Sequence, residues 1–136
     1  MRVVDHTALR LITAGAPEGY NLLDLAERHD VLLVVPATAL EAVSREAFGH
    51  AESLPLLMRI DGALGFDQVT IDALDEHRAL QVAEAGSTLG GAVSVSEVPP
   101  FAHAAVCARE HGCPVITGDA ATWKDAAPDV RTVDIG

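Results

Sequence analysis

Three acidic side chains stand where an apolar run ends and another element begins. Asp5 follows the pair Val3-Val4, and Asp119 follows Pro114-Val115-Ile116-Thr117-Gly118. Glu41 lies about one turn into the helix expected after Val31-Leu32-Leu33-Val34-Val35-Pro36. In a parallel sheet, ligands bind outside the carboxyl ends of the strands. Carboxylates delivered there from distant parts of a chain can share a cation. Oxygen donors suit hard divalent ions such as Mg²⁺ and Mn²⁺. Such ions stabilise the attacking and leaving oxygens in phosphodiester hydrolysis. Asp5, Glu41 and Asp119 are therefore the candidate catalytic and metal-ligating set.

Each of the three has an ordinary alternative. Asp5 and Asp119 could cap the helices that begin after them. Glu41 could pair on the helix surface with Arg45, its i+4 neighbour. Arg10 and Arg45 follow Asp5 and Glu41 by about a turn and could grip a phosphate, or simply offset nearby carboxylates. Trp123 reads as a packing or cleft-rim residue, since base stacking would need a basic surface around it.

The elements that must position these groups alternate between strand and helix. Arg2 to Asp5 reads as a short buried strand and His6 to Thr13 as a helix. A loop at Ala14 to Gly19 leads to a helix over Tyr20 to Asp30, with Asn21 as its candidate N-cap. The unbroken run Val31 to Val35 predicts a strand covered on both faces. Pro36 opens a helix to about Phe48, since its missing N–H is no loss in a first turn. Ala51 to Met58 reads as helix, Asp61 to Asp67 as a glycine-bearing loop, and Gln68 to Ile71 as strand. A long helix over Asp75 to Leu89 is broken by Gly90-Gly91, and Ala92 to Val98 reads as an irregular connection. Pro99-Pro100 starts a helix that His111-Gly112 ends with a C-cap glycine. Cys113 to Thr117 is a strand, Ala121 to Ala126 a short helix, and Val130 to Ile135 a last strand. This order predicts an α/β fold with a mostly parallel central sheet.

The 136 residues fit one domain, 1–136, with room for a core. Twenty Asp and Glu face nine Lys and Arg, for a net charge of −11. Non-specific nucleic-acid affinity comes from neutralising phosphates, so this balance excludes that class and favours a basic protein partner. An arginine cluster near a metal would act only at short range, because salt screens the rest. Cys107 and Cys113 show no paired-cysteine or Cys/His ligand spacing, and both are expected to be reduced and inert. No stretch approaches the ~20 apolar residues of a membrane helix. No signal peptide is expected, which makes a cytoplasmic location the default.

Three segments carry a family resemblance. Val3-Val4-Asp5-His6-Thr7-Ala8-Leu9 resembles the opening of a PIN domain, with its aspartate after the first strand and its small hydroxyl residue. Val34-Val35-Pro36-Ala37-Thr38-Ala39-Leu40-Glu41 resembles the second strand and acidic helix of the same family. The block from Ala102 through Gly112 to Asp119 is similar to its C-terminal part and is the most specific of the three. The resemblance spans essentially the whole chain in element order.

It implies a three-layer α/β/α fold and a Mg²⁺- or Mn²⁺-dependent ribonuclease, often the toxin of a toxin–antitoxin pair of the VapC type. It also implies RNA as substrate, a basic antitoxin-like partner and a homodimer. Carried over by position, Asp5 and Asp119 would be metal ligands. Glu41 would bind directly or through water, and Thr7 would orient a ligand. The chain departs from the family where another aspartate should begin the helix before Thr117-Gly118-Asp119. Counting back from Gly112, that position is Phe101. Glu97, four residues earlier, is the nearest substitute acid, while Pro99-Pro100 oppose a continuous helix through it. Asp75 and Glu76 read as helix N-terminal residues, and His6 and His103 as packed or surface side chains. Three readings follow: a metal-dependent ribonuclease, a PIN-like module that acts by binding a protein partner or by dimerising, and an unrelated α/β domain whose acids are caps.

Overall fold

A computed structural model describes all 136 residues. Its centre is a five-stranded sheet in the order β3-β2-β1-β4-β5 with every pairing parallel. The strands are β1 (Arg2–Val4), β2 (Leu33–Pro36), β3 (Val69–Asp72), β4 (Val115–Thr117) and β5 (Thr132–Asp134). Between them run α1 (His6–Thr13), α2 (Pro17–His29), α3 (Ala37–Phe48), α4 (Ser53–Leu64), α5 (Glu76–Gly86), α6 (Val98–His111) and α7 (Ala120–Ala126).

The period of two along each strand divides the core. Val3, Val34 and Val115 face one layer, where they pack with side chains of α5, α6 and α7. Val4, Leu33, Val35 and Ile116 face the other, with α1 to α4. Both faces of the central strands are therefore dry, which is why their sequences read as unbroken apolar runs. From β1 the chain builds outward to β2 and β3 on one side, then returns to build β4 and β5 on the other. The crevice at the carboxyl ends of β1 and β4 is thus the topological switch point of the sheet. Asp5 and Asp119 both follow strands that end there.

Several boundaries differ from the sequence expectation. α2 begins at Pro17, not Tyr20, with Pro in its first turn, so Asn21 lies inside the helix and caps nothing. Gly19 lets α2 lie against α1, because a Cβ there would come within 2.7 Å of the Ile12 backbone. α4 continues through Asp61 and Gly62 to Leu64. Ile60 and Ala63 extend its buried stripe, and that burial outweighs the poor helix propensity of Gly62. α5 stops at Gly86, and the connection to α6 contains two 3₁₀ turns, Gly90–Ala92 and Val95–Glu97. Gly112 ends α6 in the left-handed region at φ 59°, as the sequence predicted. Both cysteines are free; Cys107 is buried and Cys113 half-buried. No helix is long and apolar enough to cross a membrane.

Candidate functional site

Asp5 leaves β1 with extended backbone angles and caps α1, its Oδ1 accepting from the Ala8 N–H at 2.9 Å. The same oxygen accepts from Thr7 Oγ1 at 2.7 Å. Its Oδ2 accepts from the indole Nε1 of Trp123 at 2.7 Å, across 118 residues of sequence. The Asp5 side chain is fully buried, so each donor replaces water that the carboxylate has lost.

Thr7 extends this network to β4. Its hydroxyl proton goes to Asp5, and its oxygen accepts from the Gly118 N–H at 2.7 Å. Thr117 Oγ1 lies 3.0 Å from it and accepts from the Asp119 N–H at 2.9 Å. With the Thr7 proton committed to Asp5, Thr117 is the donor of that pair. A Cβ at Gly118 would stand 3.2 Å from the Thr7 carbonyl oxygen, so glycine is what allows β4 to approach α1 this closely.

The other acids have partners of their own. Asp119 caps α7, accepting from the Thr122 N–H at 3.2 Å and from its hydroxyl at 2.7 Å. Glu41 is exposed and paired with Arg45 at 2.8 Å. Arg10 makes two hydrogen bonds to Glu46, at 2.8 and 2.6 Å. That contact pulls the Glu46 carboxyl below its usual range and raises Arg10. Arg10 also lies 3.5 Å from Glu97, whose carboxylate comes within 3.4 Å of His6 Nε2.

Phe101 fills the ground between these groups. Its ring meets His6 edge-on at 4.8 Å and Trp123 at 5.2 Å with a 57° tilt. All three rings are essentially inaccessible to solvent. Neither ring nitrogen of His6 makes a hydrogen bond; the Glu97 contact is too long and poorly aimed. Burial lowers the His6 pKa, with the nearby Asp5 charge opposing it.

The whole chain superposes on solved structures. It matches a chain of the crystal structure of VapBC2 from Rickettsia felis bound to a DNA fragment from their promoter. The TM-score is 0.72 at 12% identity, over 98% of this chain and 97% of that one. It matches a chain of DNA-bound VapBC from Salmonella typhimurium with TM-score 0.72 at 15% identity, over all of both chains. The fold is PIN-like. No sequence-family model and no curated relative matches the chain.

In a PIN-like frame the question is whether these side chains can hold Mg²⁺ or Mn²⁺, and the donor chemistry argues against it. Both oxygens of Asp5 face protein donors. Trp123 brings an N–H that can donate but never ligate, and Phe101 brings no donor atom at all. Glu41 and Asp119 are turned to Arg45 and Thr122. The one set of three Asp, Glu, His or Cys side chains that converges on a common point is a different one, Asp72, His103 and Cys107.

That second cluster was not singled out from the sequence. Asp72 ends β3, so the strand-end rule that picked out Asp5 applies equally to it. His103 Nε2 sits 2.7 Å from Asp72 Oδ1, and His103 Nδ1 sits 3.0 Å from Thr38 Oγ1. Arg78 reaches both oxygens of Asp72, at 3.0 and 3.2 Å, and also pairs with Glu110. Burial lowers the His103 pKa even against the pull of Asp72. Burial works against ionisation of Asp72 too, but His103 and Arg78 together hold it below the ordinary carboxylate range.

Proposed function

We propose that this chain is a PIN-like module that works by binding a protein partner, with the strand-end carboxylates serving structure in place of phosphodiester hydrolysis. The observation that carries this reading is the Trp123 N–H seated on Asp5 Oδ2 at 2.7 Å, with the Phe101 ring packed behind it. A carboxylate that meets a metal needs lone pairs directed at open space. Here they are directed at an indole, a hydroxyl and a backbone amide.

The partner class follows from charge and from the neighbouring folds. A surface with a net charge of −11 attracts a basic polypeptide and repels nucleic acid. The two similar structures are VapBC complexes, so a basic antitoxin-like protein is the partner we assign. A second copy of the chain would complete the assembly.

The test is calorimetric titration with Mg²⁺ and Mn²⁺ of the wild type and of Asp5→Asn/Asp119→Asn, alongside an RNA cleavage assay. The same pair is also measured in a Cys107→Ala background, which removes the thiol of the second cluster. The expected result is no binding that depends on Asp5 or Asp119, and no cleavage. Manganese binding that the double substitution removes, together with RNA cleavage, would restore the ribonuclease reading with Asp5, Glu41 and Asp119 as its ligands. A complex with a basic antitoxin-like protein, measured by light scattering, tests the partner directly.

A further inference from the structure

We propose that Asp72, His103 and Cys107 form a binding site for a borderline divalent ion of the zinc type. The site is separate from the strand-end carboxylates and independent of the reading above. Its ligands come from two elements that the fold holds rigidly. Asp72 ends β3, and His103 and Cys107 stand four residues apart on α6, so they share one helix face. One carboxylate oxygen, one imidazole nitrogen and one thiol sulfur lie within 4.8 Å of one another. A mixed O, N and S set selects zinc-like ions over Mg²⁺ or Ca²⁺, which take oxygen.

Three further features suit an ion. The first is orientation. Thr38 Oγ1 engages His103 Nδ1 at 3.0 Å, which leaves Nε2 turned toward Asp72. Metal-bound histidines are held in this way by a hydrogen bond on the far nitrogen. The second is charge. Two carboxylates, Asp72 and Glu110, meet one guanidinium, Arg78, beside a neutral imidazole and a neutral thiol. These groups thus carry one net negative charge, and Asp75 on the same cavity wall adds a second. A divalent ion that displaces the thiol proton reduces that negative total by one. The third is access. A cavity of about 210 Å³, lined by Asp72, His77, Arg78, Gln81 and Glu110 among others, opens onto Asp72 from solvent. His103 and Cys107 do not line that cavity; both are fully buried, with their ligand atoms within 4.8 Å of the Asp72 carboxylate.

Without an ion, protons hold the cluster together. His103 and Arg78 both contact Asp72 Oδ1, and burial keeps the Cys107 thiol protonated by pushing its pKa up to about 12. Binding requires Arg78 to release Oδ1 while retaining Oδ2. It also replaces the Cys107 S–H bond with a sulfur–metal bond and releases that proton to water, while the His103 proton moves from Nε2 to Nδ1, where Thr38 Oγ1 accepts it. Affinity must therefore rise with pH. Such an ion would take over from the Asp72–His103 hydrogen bond as the direct tie between β3 and α6.

The test is titration of the full chain with Co²⁺ and Zn²⁺. Calorimetry gives the stoichiometry, and absorbance reports the thiolate-to-cobalt charge-transfer band. We expect one ion per chain, a band that strengthens as pH rises, and displacement of Co²⁺ by Zn²⁺. Cys107→Ala should abolish the band, while Cys113→Ala and Asp5→Asn should leave it intact. Thr38→Val should weaken binding by about tenfold through the histidine orientation. Both cysteine variants are small changes, and circular dichroism is the check that each folds. Absence of the band in wild type would overturn the proposal and make the cluster a proton-only network. A band that survives Cys107→Ala would overturn it equally, by placing the ion elsewhere.

Discussion

Replacing Trp123 with phenylalanine keeps a ring in the core and removes one N–H. That N–H is one of three donors to a carboxylate with no exposure to solvent. The other two, from Thr7 and Ala8, both serve Oδ1. Trp123→Phe therefore leaves Oδ2 buried and unpartnered. A hydrogen bond to a charged group is worth about 1.5–3 kcal/mol net. The smaller ring adds a packing loss of about 1 kcal/mol, the low end of a large-to-small change. The sum is about 2.5–4 kcal/mol. For a chain of this size that lowers Tm by about 8–12 °C, taking about 3 °C per kcal/mol.

The assay is urea denaturation at neutral pH of wild type, Trp123→Phe, Asp5→Ala and the double variant. In the Asp5→Ala background no buried oxygen is left to strand, so Trp123→Phe should cost only its packing share. The cycle should return a coupling of about 1.5 kcal/mol or more between the two sites. A coupling near zero would refute the reasoning. It would mean that the indole and carboxylate are neighbours without being partners, and Asp5 would again be free to meet a cation.

The remaining perturbations test the surroundings of that bond. Phe101→Ala should lower stability by about 3–4 kcal/mol, as removal of a buried aromatic ring does, visible as a reduced urea midpoint. Glu41→Gln should leave the urea midpoint essentially unchanged, because its pair with Arg45 is exposed on a helix surface; a large loss would show that Glu41 does more than pair. Stability should also fall as pH drops. His6 and His103 have folded-state pKa values held down by burial, so below about pH 6.5 the unfolded chain takes up protons that the folded chain refuses. Each histidine then contributes a slope of at most about 1.4 kcal/mol per pH unit. Urea midpoints from pH 7.5 to 5.5 with EDTA present measure this, and a flat profile would contradict it.

The parts of this molecule written locally were legible in its sequence. Two-sided burial left its mark in Val31 to Val35, and Gly112 marked the end of α6 because few other residues accept its backbone angles. Asp5 showed its position at a strand end and its capacity to cap, and it does cap Ala8. What it bonds with its second oxygen was not legible, because Trp123 lies 118 residues away and no spacing rule joins them. The Phe101 departure was visible as a missing acid. Its consequence, a ring edge-on to His6 and tilted against Trp123, depends on how α6 and α7 meet the end of β1. Asp72 was overlooked for another reason: β3 is a short edge strand with exposed residues, and its apolar signal was too weak to draw attention to the acid at its end.

The absent acid and the bonded acid are two aspects of one arrangement. A cluster of carboxylates stays together because a cation offsets their repulsion. Once one position holds a phenyl ring, the space that a cation and its waters would need becomes apolar, and a neighbouring carboxylate that stays ionised there must find other donors. Phe101 holds Trp123 through ring contact, and Trp123 supplies the N–H that Asp5 requires. Asp5 in turn fixes Thr7, and Thr7 joins α1 to β4 through Gly118. The crevice at the switch point of the sheet is thus closed by a hydrogen-bond network of the kind that a buried carboxylate demands. The same demand is met at Asp72 by His103 and Arg78, but there an imidazole nitrogen and a neighbouring thiol are side chains that can ligate a metal. Among the acidic strand ends, only that of β3 has beside it the side chains that can hold such an ion.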